Sequence, residues 1–280
     1  MTSLARRSPR VVACMPAWNS SAFIVPVLES IAAQTYPNLE LLVSVDLSTD
    51  HTLEICERFA ASHPNCRVLR QSKRLGWIAN ANDLIRTAEG EYLFFAFHDD
   101  PLHPTYVARL VEALENTPQA VLAFSDMETN RGPQSYPDLD GIADRVERVR
   151  RLLPAGGYWW VPNRGLMKAD AVKALGGMRP HLLGHTSADW PWLMRLAAMG
   201  EFVRVPEALV SKVYRRESLS STWTHGLCAR MAVHLACLRV LWEAGFLLPQ
   251  TLQLSRELLV LGLKQEWWRL DCSLRRRRRR

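Results

Sequence analysis

Two adjacent carboxylates, Asp99 and Asp100, follow the apolar run Tyr92-Leu93-Phe94-Phe95-Ala96-Phe97 after a single residue, His98. The run reads as a buried central strand, and Pro101 stops it. In an open α/β sheet, ligands bind just beyond the carboxyl ends of the strands. Two carboxylates placed there repel each other unless a cation shares the site. A hard divalent ion held by carboxylates and by substrate phosphates meets that need. The plainer alternative is a solvated turn with two helix-capping aspartates. Two further aspartates stand at element ends: Asp46 after the apolar run Leu39 to Val45, and Asp189 at the start of a helical pattern. Asp50 is read as a structural cap for the helix after it.

The elements that must hold these residues alternate. Strands are expected at Arg10 to Met15, Leu39 to Val45, Arg67 to Leu69, Tyr92 to Phe97 and Ala120 to Phe124. Helical spacing predicts helices over Ala22 to Gln34, Ser48 to Ala60, Ile78 to Ala88 and Pro104 to Leu114. Such alternation with short links is the signature of a mainly parallel sheet covered by helices. From Met127 to Ala155 the pattern turns polar, with a short helix around Ala143 to Leu152. Helices at Ala169 to Leu175 and Asp189 to Met199 follow. Phe202 to Val205 and Val210 to Tyr214 read as two closing strands, and from about Thr224 two helices run to the end, broken at Pro249. No Gly-x-Gly-x-x-Gly follows the first strand, so a dinucleotide fold loses its main support, and no Walker A sequence occurs.

The chain can bury a core without disulfides. Its six cysteines are scattered, with no Cys-x-x-Cys pair, which suggests a reducing, cytosolic interior. The first ten residues lack the apolar region of a secretory signal. The run Leu227 to Leu248 is the best candidate for a membrane span, but it is broken by Arg230, His234, Arg239 and Glu243. The net charge of +7 belongs largely to Arg275 to Arg280; without those six residues it falls to +1. Such a tail could touch anionic lipid, as peripheral contact at the inner face of a membrane, or nucleic acid; an expression tag or an incidental solvated tail is the other reading. No nucleic acid is expected as a partner.

Between Val11 and Ser221 the chain resembles the inverting family-2 glycosyltransferases. Pro16-Ala17-Trp18-Asn19 is similar to that family's Pro-x-Tyr-Asn turn, with Trp for Tyr. The stretch Val45 to Thr52 is similar to its Asp-Asp-Gly-Ser-Thr-Asp-Gly-Thr segment, with Val45 for the first Asp. Gly76 to Asn82 and Ala88-Glu89-Gly90-Glu91-Tyr92 match two further segments. His98-Asp99-Asp100 falls where the family carries metal-binding carboxylates, and Ala188-Asp189-Trp190 where it carries its catalytic motif.

The resemblance implies a GT-A nucleotide-sugar-binding fold over residues 1–223, with a nucleotide half, 1–127, and an acceptor half, 155–223. Residues 224–280 are then a C-terminal helical extension. It implies a metal-dependent hexosyltransferase that moves sugar from a nucleotide donor, UDP before others, to a glycan, lipid-linked or small-molecule hydroxyl with inversion. By the same resemblance Pro16, Ala17, Asn19, Asp46, Asn82 and Asp99 bind the nucleotide sugar. Lys73 or Arg74 could assist at the phosphates, Arg74 being placed with the nucleotide-sugar site, and a solvated surface pair is the alternative reading of either. Asp100 then holds Mn²⁺ or Mg²⁺, and Asp189 is the base. Trp159, Trp160, Trp190 and Trp192 are candidates for acceptor lining or for core, and His185 and His225 are weaker candidates at the site. Two rivals remain. A sugar nucleotidyltransferase would need a Gly-rich basic loop after strand one, which Pro16 to Ser20 is not. A catalytically silent sugar- or nucleotide-binding protein stays open because Val45 and His98 replace acidic neighbours.

Overall fold

The computed structural model describes residues 7–153, 160–214 and 226–278, with the backbone alone at 270 and 272–278. Tyr158, Trp159, His225, the last two arginines and the boundary expected at 223 lie outside these residues. The sheet has seven strands: β1 (Val11–Ala17), β2 (Leu39–Val45), β3 (Cys66–Arg70), β4 (Tyr92–Phe95), β5 (Ala120–Thr129), β6 (Leu166–Lys168) and β7 (Glu201–Lys212). Their spatial order is β3-β2-β1-β4-β6-β5-β7. β6 alone is antiparallel to its neighbours, so the other six end at the same edge of the sheet. That shared edge is why residues far apart in sequence meet there.

The helices are α1 (Ile24–Ala32), α2 (Thr52–Ser62), α3 (Trp77–Thr87), α4 (Tyr106–Asn116), α5 (Arg145–Leu152), α6 (Ala169–Leu175), α7 (Asp189–Ala197), α8 (Leu227–Glu243) and α9 (Leu248–Arg278). Each covering helix buries one stripe. α1 buries Ile24, Val27, Leu28 and Ile31, and α4 buries Tyr106, Val107, Leu110, Val111 and Leu114. Removing each such aliphatic side chain from water stabilises the fold by roughly 1.5–3 kcal/mol. β1 and β4 are buried almost throughout, as expected of strands covered on both faces. Pro249 does not break a helix: it is the second residue of α9, where a missing N–H costs nothing.

β1 runs on through Pro16 to Ala17, β4 stops at Phe95, and β6 is a strand beyond those expected. The far side of the sheet departs further. β5 continues to Thr129, and the two closing strands are one, β7. Between Val205 and Ala208 the register slips by two residues at Pro206, which lacks the N–H a ladder requires. The resulting bulge lets β7 carry on to Lys212, opposite Thr129. A proline that reads as a strand end is here an interruption within one strand. Among the described residues no helix is long and apolar enough to cross a membrane.

Candidate active site

Because β1 lies between β2 and β4, the residues just past their ends are neighbours across the turn that begins at Pro16. Asp46 follows β2 and is 1% exposed. Its carboxylate accepts backbone N–H groups from Leu47, Leu75 and Gly76, at 3.1, 2.7 and 2.9 Å, and pairs with Arg74. Arg74 in turn lies over the Trp18 ring, 3.8 Å from its centroid. Asp46 therefore ties the 71–76 loop down, and the exposed side of that knot is Arg74 on Trp18. Asn19, at φ 44°, exchanges hydrogen bonds with Ser48 and Thr49. The Ala17 carbonyl accepts the Asp46 N–H at 2.9 Å, and the Pro16 carbonyl meets the His98 ring Nδ1 at 2.9 Å. These residues form one stitched floor.

Asn82, expected at the nucleotide, has a different role. Its amide donates to the Met178 carbonyl at 2.9 Å and accepts the Met178 N–H at 2.8 Å. Both ends of the side chain are used in clamping α3 to the chain after α6. Gly177 permits this approach, since a Cβ there would lie 2.4 Å from the Asn82 amide oxygen. Asn82 is a structural clamp.

Asp99 and Asp100 part company. Asp100 is 2% exposed, and both its oxygens face cations: Arg164 Nε at 2.7 Å and Lys212 Nζ at 3.0 Å. Burial opposes its charge, but Arg164 and then Lys212 outweigh that and hold its carboxyl below the usual range. A divalent ion would have to displace two positive charges to reach these oxygens. Among the described residues no group of three or more His, Cys, Asp or Glu is arranged to hold a metal. Arg164 and Lys212 thus compete at Asp100 with the Mn²⁺ or Mg²⁺ expected there. Asp99 is more open, with Lys212 Nζ 3.9 Å from its carboxylate.

Arg164 belongs to a short 3₁₀ turn, Pro162–Arg164, that no sequence pattern singled out. Its carbonyl accepts the buried Tyr106 hydroxyl, its guanidinium donates to the Trp160 carbonyl at 2.8 Å, and it stacks on Phe97. Gly165 then passes so close to β5 that a Cβ would lie 2.5 Å from the Ala123 carbonyl. The turn is thus pinned on several sides.

Its middle residue, Asn163, donates to Asp189 Oδ2 at 2.9 Å. Asp189 opens α7 just after Ser187, whose φ of 52° is rare for a residue with a Cβ. The residue is 9% exposed and its carboxyl is buried. Burial pushes it up to about 7, against the pull of its own N–H, Arg164 and the Trp190 N–H. Its Oδ1 and the Asn163 Oδ1 are buried without a hydrogen-bond partner among the described residues. Consecutive residues, Asn163 and Arg164, therefore hold Asp189 and Asp100.

The tryptophans divide in the same way. Trp192 is 1% exposed against Phe95, and Trp190 donates its indole N–H to the Leu152 carbonyl, so both are core. Trp160 stays at the site, edge-on to Tyr214 at 6.2 Å. His185 is exposed. A cavity of about 500 Å³ lined by Arg7, Arg10, Glu91, Lys168 and Asp170 lies at the opposite edge of the sheet, near the start of β4, and takes no part in this cluster.

Comparison with known proteins gives the family and the fold. The chain is 37% identical over 227 residues to a chondroitin synthase of Escherichia coli, covering 77% of this chain and 30% of that protein. It is 32% identical over 166 residues to the uncharacterized glycosyltransferase YibD of Escherichia coli K12, covering 56% and 48%. The chain spans less than half the length of these relatives. Among solved structures, S. aureus TarS 1-349 in complex with UDP-GlcNAc superposes with a TM-score of 0.73 at 17% identity, over 91% of this chain and 73% of that one. The mannosyltransferase PcManGT of Pyrobaculum calidifontis, in complex with GDP-Man and Mn²⁺, gives 0.62 at 19%, over 94% and 72%. These likenesses establish the GT-A architecture. The model of glycosyl transferase family 2 matches residues 12–168, more than half of the sequence, and the chain belongs to that family.

Proposed function

We propose that the protein transfers a sugar from a nucleotide sugar, UDP-linked before others, to a hydroxyl of a glycan or lipid-linked acceptor, with inversion. Asp189 is the base. The acceptor oxygen attacks the anomeric carbon, the bond from that carbon to the diphosphate oxygen breaks, and Asp189 takes the acceptor proton. The observation that carries this reading is the Asp189 carboxyl. It is buried, held by the Asn163 amide, left with one oxygen that has no hydrogen-bond partner among the described residues, and raised to about 7. A base whose pKa lies near the working pH combines a useful deprotonated fraction with real affinity for the proton. A merely structural N-terminal aspartate would sit low, in solvent or under several donors.

Donor binding falls to the stitched floor: Pro16, Ala17, Asn19, the loop knotted by Asp46, and Asp99. Arg74 and Lys212 supply positive charge for the diphosphate. The complexes of the structural neighbours, with UDP-GlcNAc in one and GDP-Man in the other, support a nucleotide-sugar donor.

The test is a panel of nucleotide sugars, followed for nucleoside diphosphate release with and without glycan acceptors. Release above background with one donor, enhanced by an acceptor and lost in Asp189→Asn, is the expected result. Tight donor binding with no turnover under any acceptor would favour the silent binding protein.

A further inference from the structure

The two C-terminal helices carry a surface that the chemistry above does not use. α9 packs inward through Thr251, Leu254, Ser255 and Leu258, all buried, and Gly262 lies against His234 of α8. Its other side is apolar and open. Leu252, Leu259, Leu263 and Trp267 recur at intervals of seven, four and four, which stacks them on one face. They are 51%, 51%, 71% and 72% exposed, with Val260 and Trp268 alongside. At 1.5 Å per residue the stripe is roughly 23 Å long. α8 repeats the feature with Leu227, Met231, Leu235 and Trp242, all exposed. Single exposed apolar residues need no explanation, but two ordered stripes on adjoining helices do.

Charge identifies the occupant. Two acids of α9 are spent inside the protein, Glu257 on Arg150 and Glu266 on Arg230, and Asp271 is engaged as well. Arg256 and Lys264 enter none of the ion pairs among the described residues. The helix then runs into Arg275 to Arg280, and its backbone remains helical to Arg278. An open apolar stripe bearing two tryptophans, flanked by unbalanced positive charge, matches a headgroup–acyl boundary with anionic lipid. A second copy of the chain would bring like charge against like. A nucleic acid would satisfy the arginines but leave the leucines in water.

We propose that the outer face of α8 and α9 docks on an anionic lipid surface, the arginine run meeting headgroups and Leu259, Leu263 and Trp267 entering the interface. The proposal does not depend on the transfer chemistry.

The experiment is co-sedimentation of the full chain with phosphatidylcholine vesicles, with and without phosphatidylglycerol, at low and high salt. Tryptophan emission is recorded alongside. Binding is expected only with phosphatidylglycerol, with a blue shift in emission and release by salt. Replacing all six of Arg275 to Arg280 by Gln should weaken it by roughly 10²-fold or more. Leu259→Ser with Leu263→Ser should remove the blue shift at unchanged melting temperature, because both positions are exposed. Equal binding to neutral vesicles, no binding to either, or indifference to the arginines would overturn the proposal. So would self-association abolished by the same leucine substitutions, or a single-stranded oligonucleotide that binds more tightly than the vesicles and displaces them.

Discussion

Asp100 and Asp189 are two buried aspartates held by consecutive residues, and their surroundings drive them in opposite directions. Asp100 has a cation on each oxygen and is kept ionised. Asp189 has the Asn163 amide on one oxygen, no hydrogen-bond partner among the described residues on the other, and a carboxyl that burial raises to about 7. Burial is common to both, so burial alone does not decide the role. The compensating partners do: a fully paired charge is fixed and serves the fold, whereas an under-compensated one can exchange a proton. The two assignments are separable by substitution.

The largest expected effect is on turnover. Asp189→Asn keeps size and most hydrogen bonding but cannot take a proton. Transfer to the acceptor should fall by roughly 10²–10⁴-fold, the usual scale for a positioned base. Donor affinity, read by calorimetry, should hold, and melting temperature should hold or rise because a buried charge is lost. Full transfer by a folded Asp189→Asn variant would reduce Asp189 to a helix-end residue and collapse the contrast.

The mirror experiment is Asp100→Asn. It strands Arg164 without its counter-charge and leaves Lys212 only Asp99, at 3.9 Å, and breaking a buried pair from one side costs about 3–5 kcal/mol. Urea unfolding should show that loss. Any response of nucleotide affinity to Mn²⁺ against chelator should survive the substitution, since both Asp100 oxygens are already engaged by Arg164 and Lys212. A Mn²⁺ response lost in folded Asp100→Asn would restore Asp100 as a metal ligand.

The parts of this arrangement differ in how readable they are from sequence. The alternation of β1 to β5 with their helices was legible because uniform apolar runs and helical spacing are local signals. Asp46, Asp99, Asp100 and Asp189 were legible as positions, because carboxylates at element ends stand out against apolar runs. Their partners were not. Asn163 and Arg164 sit in a three-residue turn without periodicity, 26 residues from Asp189 and 64 from Asp100. Lys212 reaches Asp100 only because β7 bulges at Pro206 and runs on. Asn82 matches a motif, yet its amide is consumed by Met178, 96 residues away. Partner identity is a tertiary fact, and it determines whether a polar residue clamps, pairs or reacts.

The pH dependence of stability sharpens the contrast with a smaller effect. For Asp189 the folded pKa, about 7, lies above the ordinary value of 3.8. Between those values the folded state keeps a proton that the unfolded chain has released. Its contribution to stability is therefore full below the lower value and declines as pH rises toward about 7, with a slope of at most about 1.4 kcal/mol per pH unit. Asp100 has the opposite sign, stabilising above its unfolded pKa and losing that as pH falls further. Unfolding free energies from about pH 5 to pH 8 should show a downward slope from Asp189 that vanishes in Asp189→Asn. A difference curve that is flat across that window would mean that Asp189 ionises normally.

The smallest effect belongs to Asn163, and it tests whether the turn tunes the base or only packs beside it. Its amide N–H, 2.9 Å from Asp189 Oδ2, favours the charged carboxylate. Asn163→Ala should therefore raise the carboxyl further, moving the acid limb of the pH–rate profile up by about one unit; one unit corresponds to 1.36 kcal/mol, within the range of a hydrogen bond to a charged group. Turnover should drop several-fold at acidic pH and recover at alkaline pH, where the base is deprotonated in either case. Asn163→Ser, which retains a donor at shorter reach, should restore part of the shift. Asn163→Asp should move the limb further still, because two adjacent buried carboxyls compete for one proton. A purely structural role would lower activity equally at every pH and leave the midpoint in place. The pH–rate profile of these three variants therefore separates a residue that positions and tunes the base from one that fills space beside it.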